Sequence, residues 1–409
     1  MKKTLAAVAV LGAFAGSALA ADVQLYGIVD TGLQYVHGDT DSTAPNSDFD
    51  SFSMESGMAS GSRFGFKGTE DLGNGLTVGF ILEDGIKSDT GVDDDVLFNR
   101  ESSLFLQGGF GKVAFGRIGS FNGGVSSWAK YGVMSVFGTS WGDYSAQAGT
   151  WAMGAGMWNN MIAYETPSFA GFKVFAQYGM GNQVDGVDEN GKAGKFGEEN
   201  ESSSDRYYAI GASYNNGPLS LYFAVDSINY ASVTMEQAGE SIKDQDDSLT
   251  VTFGGNYDFE VVKLYAGAQY FDEIKTSKMK GVIQDVDVFN SGAQKFADRM
   301  KGWSLGVSAG IPVAGGTVMV GAAYLDAEAA DSESSEATRD DELTRWIVSA
   351  GYDYPFSKRT DVYGVVTYNQ DSMKYTGNHA DQDPYMFGVM VGLRHRCQLP
   401  HLYFQDTYP

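Results

Sequence analysis

Apolar side chains alternate one by one with small or polar ones along most of this chain, a rhythm that only an extended strand converts into two unlike faces. Trp303, Leu305, Val307, Ala309 and Ile311 are separated by Ser304, Gly306, Ser308 and Gly310. The same beat carries Leu219, Leu221, Phe223 and Val225, then Val262, Leu264, Ala266, Ala268 and Tyr270, and again Phe387, Val389, Val391 and Leu393. Sixteen such segments are predicted, at about 23–36, 61–70, 75–85, 97–107, 111–118, 157–165, 171–180, 205–215, 218–228, 248–258, 261–272, 301–311, 316–326, 343–353, 360–370 and 385–395. In segment 97–107 the phase is troubled, because Glu101 and Gln107 fall where a lipid-facing side chain is expected.

The connections alternate in kind. Short ones near 72–75, 108–111, 215–218, 312–315 and 353–356 hold the Gly, Asn and Pro residues of tight turns. Long ones at 37–60, 180–205, 229–247, 326–342 and 370–384 carry most of the acid in a chain of formal net charge −24. An even strand count with turns at one end and loops at the other fits an all-β, sixteen-stranded antiparallel transmembrane β-barrel. Closure leaves no edge strand with unpaired N–H and C=O groups in lipid. In such a barrel the apolar phase faces outward, and the wide interior, expected to be glycine, serine and scattered charge, holds water. Tyr208 with Tyr214, and Trp346 with Tyr352, lie six residues apart on the outward phase, roughly 20 Å at ~3.3 Å per residue. That spacing suits two interfacial girdles. The competing fold is a secreted β-sandwich, whose apolar phase would face a second sheet.

Lys2, Lys3, the apolar run 5–14 and Ala18-Leu19-Ala20 read as a secretory signal, residues 1–20, cleaved after Ala20. Beyond it no apolar run approaches the ~20 residues of a membrane helix. With Cys397 as the one cysteine, no disulfide within the chain forms. Residues 21–397 form one barrel domain, followed by an atypical tail, 398–409, without alternation.

One connection differs in chemistry. Residues 119–156 hold Phe121, Trp128, Tyr131, Phe137, Trp141, Tyr144 and Trp151, with Lys130 and Asp143 as the charges. So aromatic a segment must pack on something. The lumen is the expected place, and a neighbouring subunit the alternative.

The chain also resembles the Gram-negative general porins, the sixteen-stranded trimeric type. The resemblance runs from Val23-Gln24-Leu25-Tyr26-Gly27 to Gly392-Leu393-Arg394-His395. It is sharpest in SRFGFKGTEDLG at 62–73, GFGKVAFGR at 109–117, and Asn159-Asn160 followed by YETPSF at 164–169. It implies an outer-membrane homotrimer, set in lipid and lipopolysaccharide, that passes small hydrophilic solutes and ions by passive diffusion. It also implies that the third long loop folds inward as a constriction, opposite a ladder of bases on which Arg63, Arg100 and Arg117 fall. Lys67, Lys130 and Asp143 complete the expected constriction, and Phe121, Trp128, Trp141 and Trp151 its aromatic rim. Two departures matter. Met157-Trp158 stands where an arginine often precedes the Asn-Asn pair, and Cys397 stands in the slot of a final outward aromatic. A basic eyelet favours anions while acidic mouths concentrate cations, so weak selectivity is expected, with a slight cation preference at low salt.

Enzymatic function is not expected. GFGKVA at 109–114 matches a dinucleotide fingerprint in letters only, because it joins two strands. His37, His379, His395 and His401 form neither a zinc spacing nor a triad. Bases are too few for a nucleic-acid surface. The acid clusters lack EF-hand spacing and read as solvated loops, with weakly held Ca²⁺ or Mg²⁺ as the lesser reading. No other cofactor is expected. Alternatives to the passive channel are a substrate-selective channel for sugars or peptides, with Trp128, Trp141 and Trp151 as a stacking slide, and an adhesive surface barrel.

Overall fold

A computed structural model describes residues 22–41, 48–92, 96–123, 125–138, 149–152, 156–182, 184–187, 193–196, 198–231, 246–276, 296–331, 338–377 and 380–398. The expected leader, residues 399–409 of the expected tail, Trp141, Asp143, Tyr144 and His379 lie outside the described residues.

Seventeen strands share one sheet. They are β1 (Asp22–Asp39), β2 (Asp48–Ser56), β3 (Arg63–Gly73), β4 (Leu76–Gly85), β5 (Glu101–Gly108), β6 (Gly111–Gly119), β7 (Met157–Glu165), β8 (Phe172–Asn182), β11 (Asp205–Asn216), β12 (Leu219–Asn229), β13 (Leu249–Asp258), β14 (Lys263–Lys275), β15 (Arg299–Val313), β16 (Gly316–Ala329), β17 (Glu342–Pro355), β18 (Thr360–Lys374) and β19 (Tyr385–Gln398). A separate hairpin, β9 (Val184–Val187) with β10 (Ala193–Phe196), stands in the connection after β8. Both β2 and β3 run along β1, at successive heights, so together they form one stave. The result is a sixteen-stave antiparallel barrel, closed where β1 pairs β19 from Tyr26↔Gln398 to Asp39↔Tyr385.

The alternation sets which way each stave faces. Trp303, Leu305 and Val307 are exposed, whereas Ser304 and Ser308 on the alternate phase are buried. The same holds for Trp346 and Val348 against Ile347 and Ser349. Trp303, Tyr324 and Trp346 are exposed toward the loop end, and Tyr257, Tyr354 and Phe356 toward the turn end. These are the outward girdles. Short turns work as their residues require: Asn74 and Gly75 both take positive φ, which matches the twist of a two-residue hairpin.

The structure differs from the sequence reading in three places. Connection 37–60 contains β2, which extends the β1 hairpin, and connection 180–205 contains β9 and β10. The fourth stave begins at Glu101, after Phe98 with φ of +58°, so Leu97 and Phe98 never entered its phase. Glu101 pairs Glu83 in register and is buried, which places it with Ser103 and Phe105 on the inner face. Finally, the inner face is not only glycine, serine and charge. Tyr207, Tyr222, Ala224, Phe271, Met319, Ile347, Tyr363, Val365 and Met390 all lie buried on the inward phase.

Candidate functional site

Those inward apolar groups are covered by the aromatic connection between β6 and β7. Phe121, Trp128, Tyr131, Met134 and Trp151 form one buried cluster with Phe105 of β5, Phe175 of β8, Tyr207 of β11 and Tyr222 of β12. Backbone polar groups of the connection are met in turn by inward side chains around the barrel. The Phe121 N–H donates to Gln177 Oε1 at 3.0 Å, and the Ser127 N–H and hydroxyl donate to Glu101 at 2.8 and 3.0 Å. Asn256 Nδ2 donates to the Val133 carbonyl at 2.8 Å, and the Val136 N–H donates to Ser308 Oγ at 3.0 Å. On the returning arm, the Ala152 N–H donates to Gln269 Oε1 at 2.9 Å.

The strongest tie is Arg345 on β17. Its Nε and Nη2 clamp both oxygens of Asp371 at 2.6 Å, and Nη1 reaches the Gly149 carbonyl at 2.7 Å. Both side chains are 1% exposed, so this is a charge pair out of water, stabilised by bidentate geometry. Asn122 donates to Asp226 and accepts from the Tyr222 hydroxyl at 2.7 Å. Inward glycines make room: a Cβ on Gly254 would sit 2.6 Å from Met134 Sδ, and one on Gly267 would sit 3.0 Å from Trp151. Burial holds the Tyr131 hydroxyl well above its ordinary range, so it stays neutral.

The expected aromatic rim is therefore corrected. Phe121, Trp128 and Trp151 are at most 2% exposed and act as anchors under the segment, so no ring of theirs is free to stack on a solute. Composition alone could not separate an anchor from a rim.

The opposite part of the inner face carries charge. Arg63 opens β3 on the phase of Lys67, opposite Phe64 and Phe66. Arg63 Nε lies 3.5 Å from Glu83 Oε2, and Arg100 Nε donates to Glu83 Oε1 at 2.8 Å. The Tyr26 hydroxyl also donates to Glu83, at 2.9 Å, and Lys67 Nζ lies 5.2 Å from the Tyr26 ring centroid. Beside them, Arg394 donates from Nε to Asp361 at 2.9 Å and from Nη2 to Asp353 at 3.1 Å, and Arg396 Nη1 donates to Asp361 at 2.5 Å. Sequence reasoning missed these last two. The signal was present, because Val391 and Leu393 point outward and so put Arg394 and Arg396 inward.

Arg117 does not join this group. It pairs Ser102 in register on the phase of exposed Phe115, and its guanidinium donates to the Asn99 carbonyl at 2.7 Å and Asn159 Oδ1 at 2.5 Å. Alternation along β6 carries it there, since Phe115 and Arg117 share one phase while Ala114 and Ile118 are buried on the other. Lys130 instead meets Glu165 at 3.2 Å, which Lys173 also holds at 2.7 Å. Lys112, near the same acid, lies over the rings of Phe105 and Trp128 at 4.4 and 4.8 Å. Among the described residues, no three of His, Cys, Asp and Glu gather as a metal cage.

Three comparisons bear on this geometry. A family model described as Gram-negative porin matches residues 6–374. An outer membrane porin protein of Bordetella pertussis is 34% identical over 423 residues, spanning 97% of this chain and 100% of that protein. Outer membrane porin protein 32 of Delftia acidovorans is 31% identical over 407 residues, spanning 97% and 99%. Among solved structures, an anion-selective porin from Comamonas acidovorans superposes with a TM-score of 0.59 at 24% identity, covering 92% of this chain and 100% of that one. The outer membrane channel DcaP of Acinetobacter baumannii does so with a TM-score of 0.56 at 14% identity, covering 93% and 99%.

Proposed function

This chain belongs to the Gram-negative porin family and forms a channel across the outer membrane, and from that premise we propose that its passage is narrowed by residues 119–152 and only weakly selective. Small hydrophilic solutes and ions cross by diffusion, without covalent chemistry and without a cofactor. The observation that carries this reading is Glu83, which holds Arg63 and Arg100 together on one wall. A strong transverse field needs opposite charges on facing walls. Here most of the basic groups have an acid beside them: Glu83 for Arg63 and Arg100, Asp361 and Asp353 for Arg394 and Arg396, and Glu165 for Lys130 and Lys173.

Family members are generally oligomeric, and a homotrimer set in lipid and lipopolysaccharide is the assembly we infer. The low wall supports it. Strands β5, β6 and β7 have 8, 9 and 9 residues, against 14 or 15 in β15 to β18. On the low wall Ser102, Arg117 and Asn159 take the outward phase, and an arginine facing lipid costs from about 0–1 kcal/mol near the interface up to about 2–4 kcal/mol at the midplane. A second copy covering that wall removes the cost.

Reversal potentials across a planar bilayer in a salt gradient test the reading. Glu83→Gln leaves two arginines without their acid and shifts the potential toward anions, whereas Arg63→Ala shifts it toward cations. If neither change moves the potential, these residues do not line the narrow passage.

A further inference from the structure

We propose that Asp30 is the positioning residue of the basic wall, acting through an inward excursion of the chain at residues 57–62. The inference rests on reading that wall as the selective part of the channel. On β1, Ile28 pairs Arg63 of β3 and Thr31 pairs Ser56 of β2, so residues 57–62 stand opposite only Val29 and Asp30. Six residues facing two cannot stay in the ladder and must leave the sheet. They leave inward: Met58 and Ala59 are buried in one cluster with Tyr363, Val365 and Met390 of the neighbouring staves and with Phe137 of the constricting segment. The turn depends on Gly57, with φ of +75°, where a Cβ would meet the Gly61 Cα at 2.8 Å.

Asp30 holds this excursion with every polar group it has. Its carbonyl accepts from the Gly57 N–H at 2.8 Å and from the hydroxyls of Ser62 and Ser88 at 2.9 Å each, and its own N–H donates to Ser62 Oγ at 3.0 Å. Its carboxylate, fully buried, accepts the Ala59 and Ser60 N–H groups on Oδ2 at 2.9 and 2.7 Å, and the Tyr363 hydroxyl on Oδ1 at 2.6 Å. The excursion in turn holds the arginines. Arg63 Nη1 donates to the Gly61 carbonyl at 3.0 Å, Arg394 Nη1 donates to Ser60 Oγ at 3.1 Å, and Arg100 Nη1 lies 3.0 Å from where a Gly61 Cβ would stand. One buried carboxylate, which no solute touches, thereby sets the place of two guanidinium groups, with the third, that of Arg100, packed beside the glycine between them.

The sign of the effect separates positioning from charge. Asp30→Asn removes a negative charge, which alone would raise the preference for anions. Loss of positioning does the reverse, because the neutral amide accepts the Ala59 and Ser60 N–H groups without the strength that a charge lends them and sets its own N–H against the Tyr363 hydroxyl donor, and the loosened arginines no longer concentrate their field. The expected result for Asp30→Asn is a fall in the anion-to-cation permeability ratio of about two-fold or more. Tyr363→Phe, which changes no charge, should give a smaller fall, and Asp30→Glu a partial return toward the original ratio. Purified channels would be measured in planar bilayers, with retention of the folded assembly in unheated gels as the check on assembly. Should Asp30→Asn not assemble, Tyr363→Phe alone decides. A ratio that rises or stays unchanged in these variants, while Arg63→Ala moves it, overturns the positioning role. If Arg63→Ala also leaves the ratio unmoved, the reading of the wall itself falls.

Discussion

Two parts of one inner face have been made for opposite purposes. From β5 round to β17 the wall is mostly apolar or amide-bearing, its buried charges Glu101, Asp226 and Arg345 are bonded to the connection between β6 and β7, and that connection lies against it with its aromatic groups buried. Along β19, β1, β3 and β4 the wall carries arginines, each within reach of a carboxylate. The first part resembles a protein core and specifies a shape. The second is built of charge pairs and specifies an electrostatic environment. Mutations should therefore divide cleanly, with stability lost on the aromatic-covered wall and ion preference altered on the charged one.

Arg345→Ala should have the largest effect. It leaves Asp371 as an uncompensated buried charge and frees Gly149, at a cost of about 3–5 kcal/mol. Chemical unfolding of the purified barrel should show that loss, and single-channel records should become noisy. Trp151→Ala should cost about 3 kcal/mol by leaving a void against Gly267 and Tyr131. Glu101→Gln should cost about 1.5–3 kcal/mol, since the carboxylate accepts three hydrogen bonds from Ser103 and Ser127. Neither of these two should move the reversal potential as far as Glu83→Gln does. If Trp151→Ala shifted ion preference more than Glu83→Gln, the division between the walls would be wrong.

The smallest effect concerns the mouths. Exposed loop carboxylates such as those of Glu199 and Asp340 are screened beyond ~8 Å at physiological salt. Cation preference should therefore be greatest in dilute salt and fade as salt rises, which reversal potentials over a concentration series would follow.

The staves were legible because lipid outside and water inside impose a two-residue period, and each of the sixteen segments overlaps a strand, the fourth beginning before its strand does. β2 was not legible: Phe49, Phe52 and Met54 break the beat there, and Phe52 and Met54 are exposed without any sheet partner demanding alternation beyond β1. Glu101 was misread because Phe98, with its positive φ, interrupts what looked like one run. The bases divided for a different reason. Arg63 followed a clean phase from Phe64 and Phe66, whereas the same phase argument from Phe115 sends Arg117 outward, and matching it to the ladder by motif passed over that signal. The apolar lining escaped notice because Tyr222 or Met390 looks like any other side chain between outward residues until the segment that covers it is in place.

The final strand offers a practical opening. Cys397 continues the outward phase of Val391 and Leu393, pairs with Gly27 across the closing seam, and is exposed. Because the sequence has no other thiol, a spin label or fluorophore attached there reports from one known spot on the exterior without any engineering. Distances between such labels on assembled copies would map how neighbouring barrels are arranged around a shared axis.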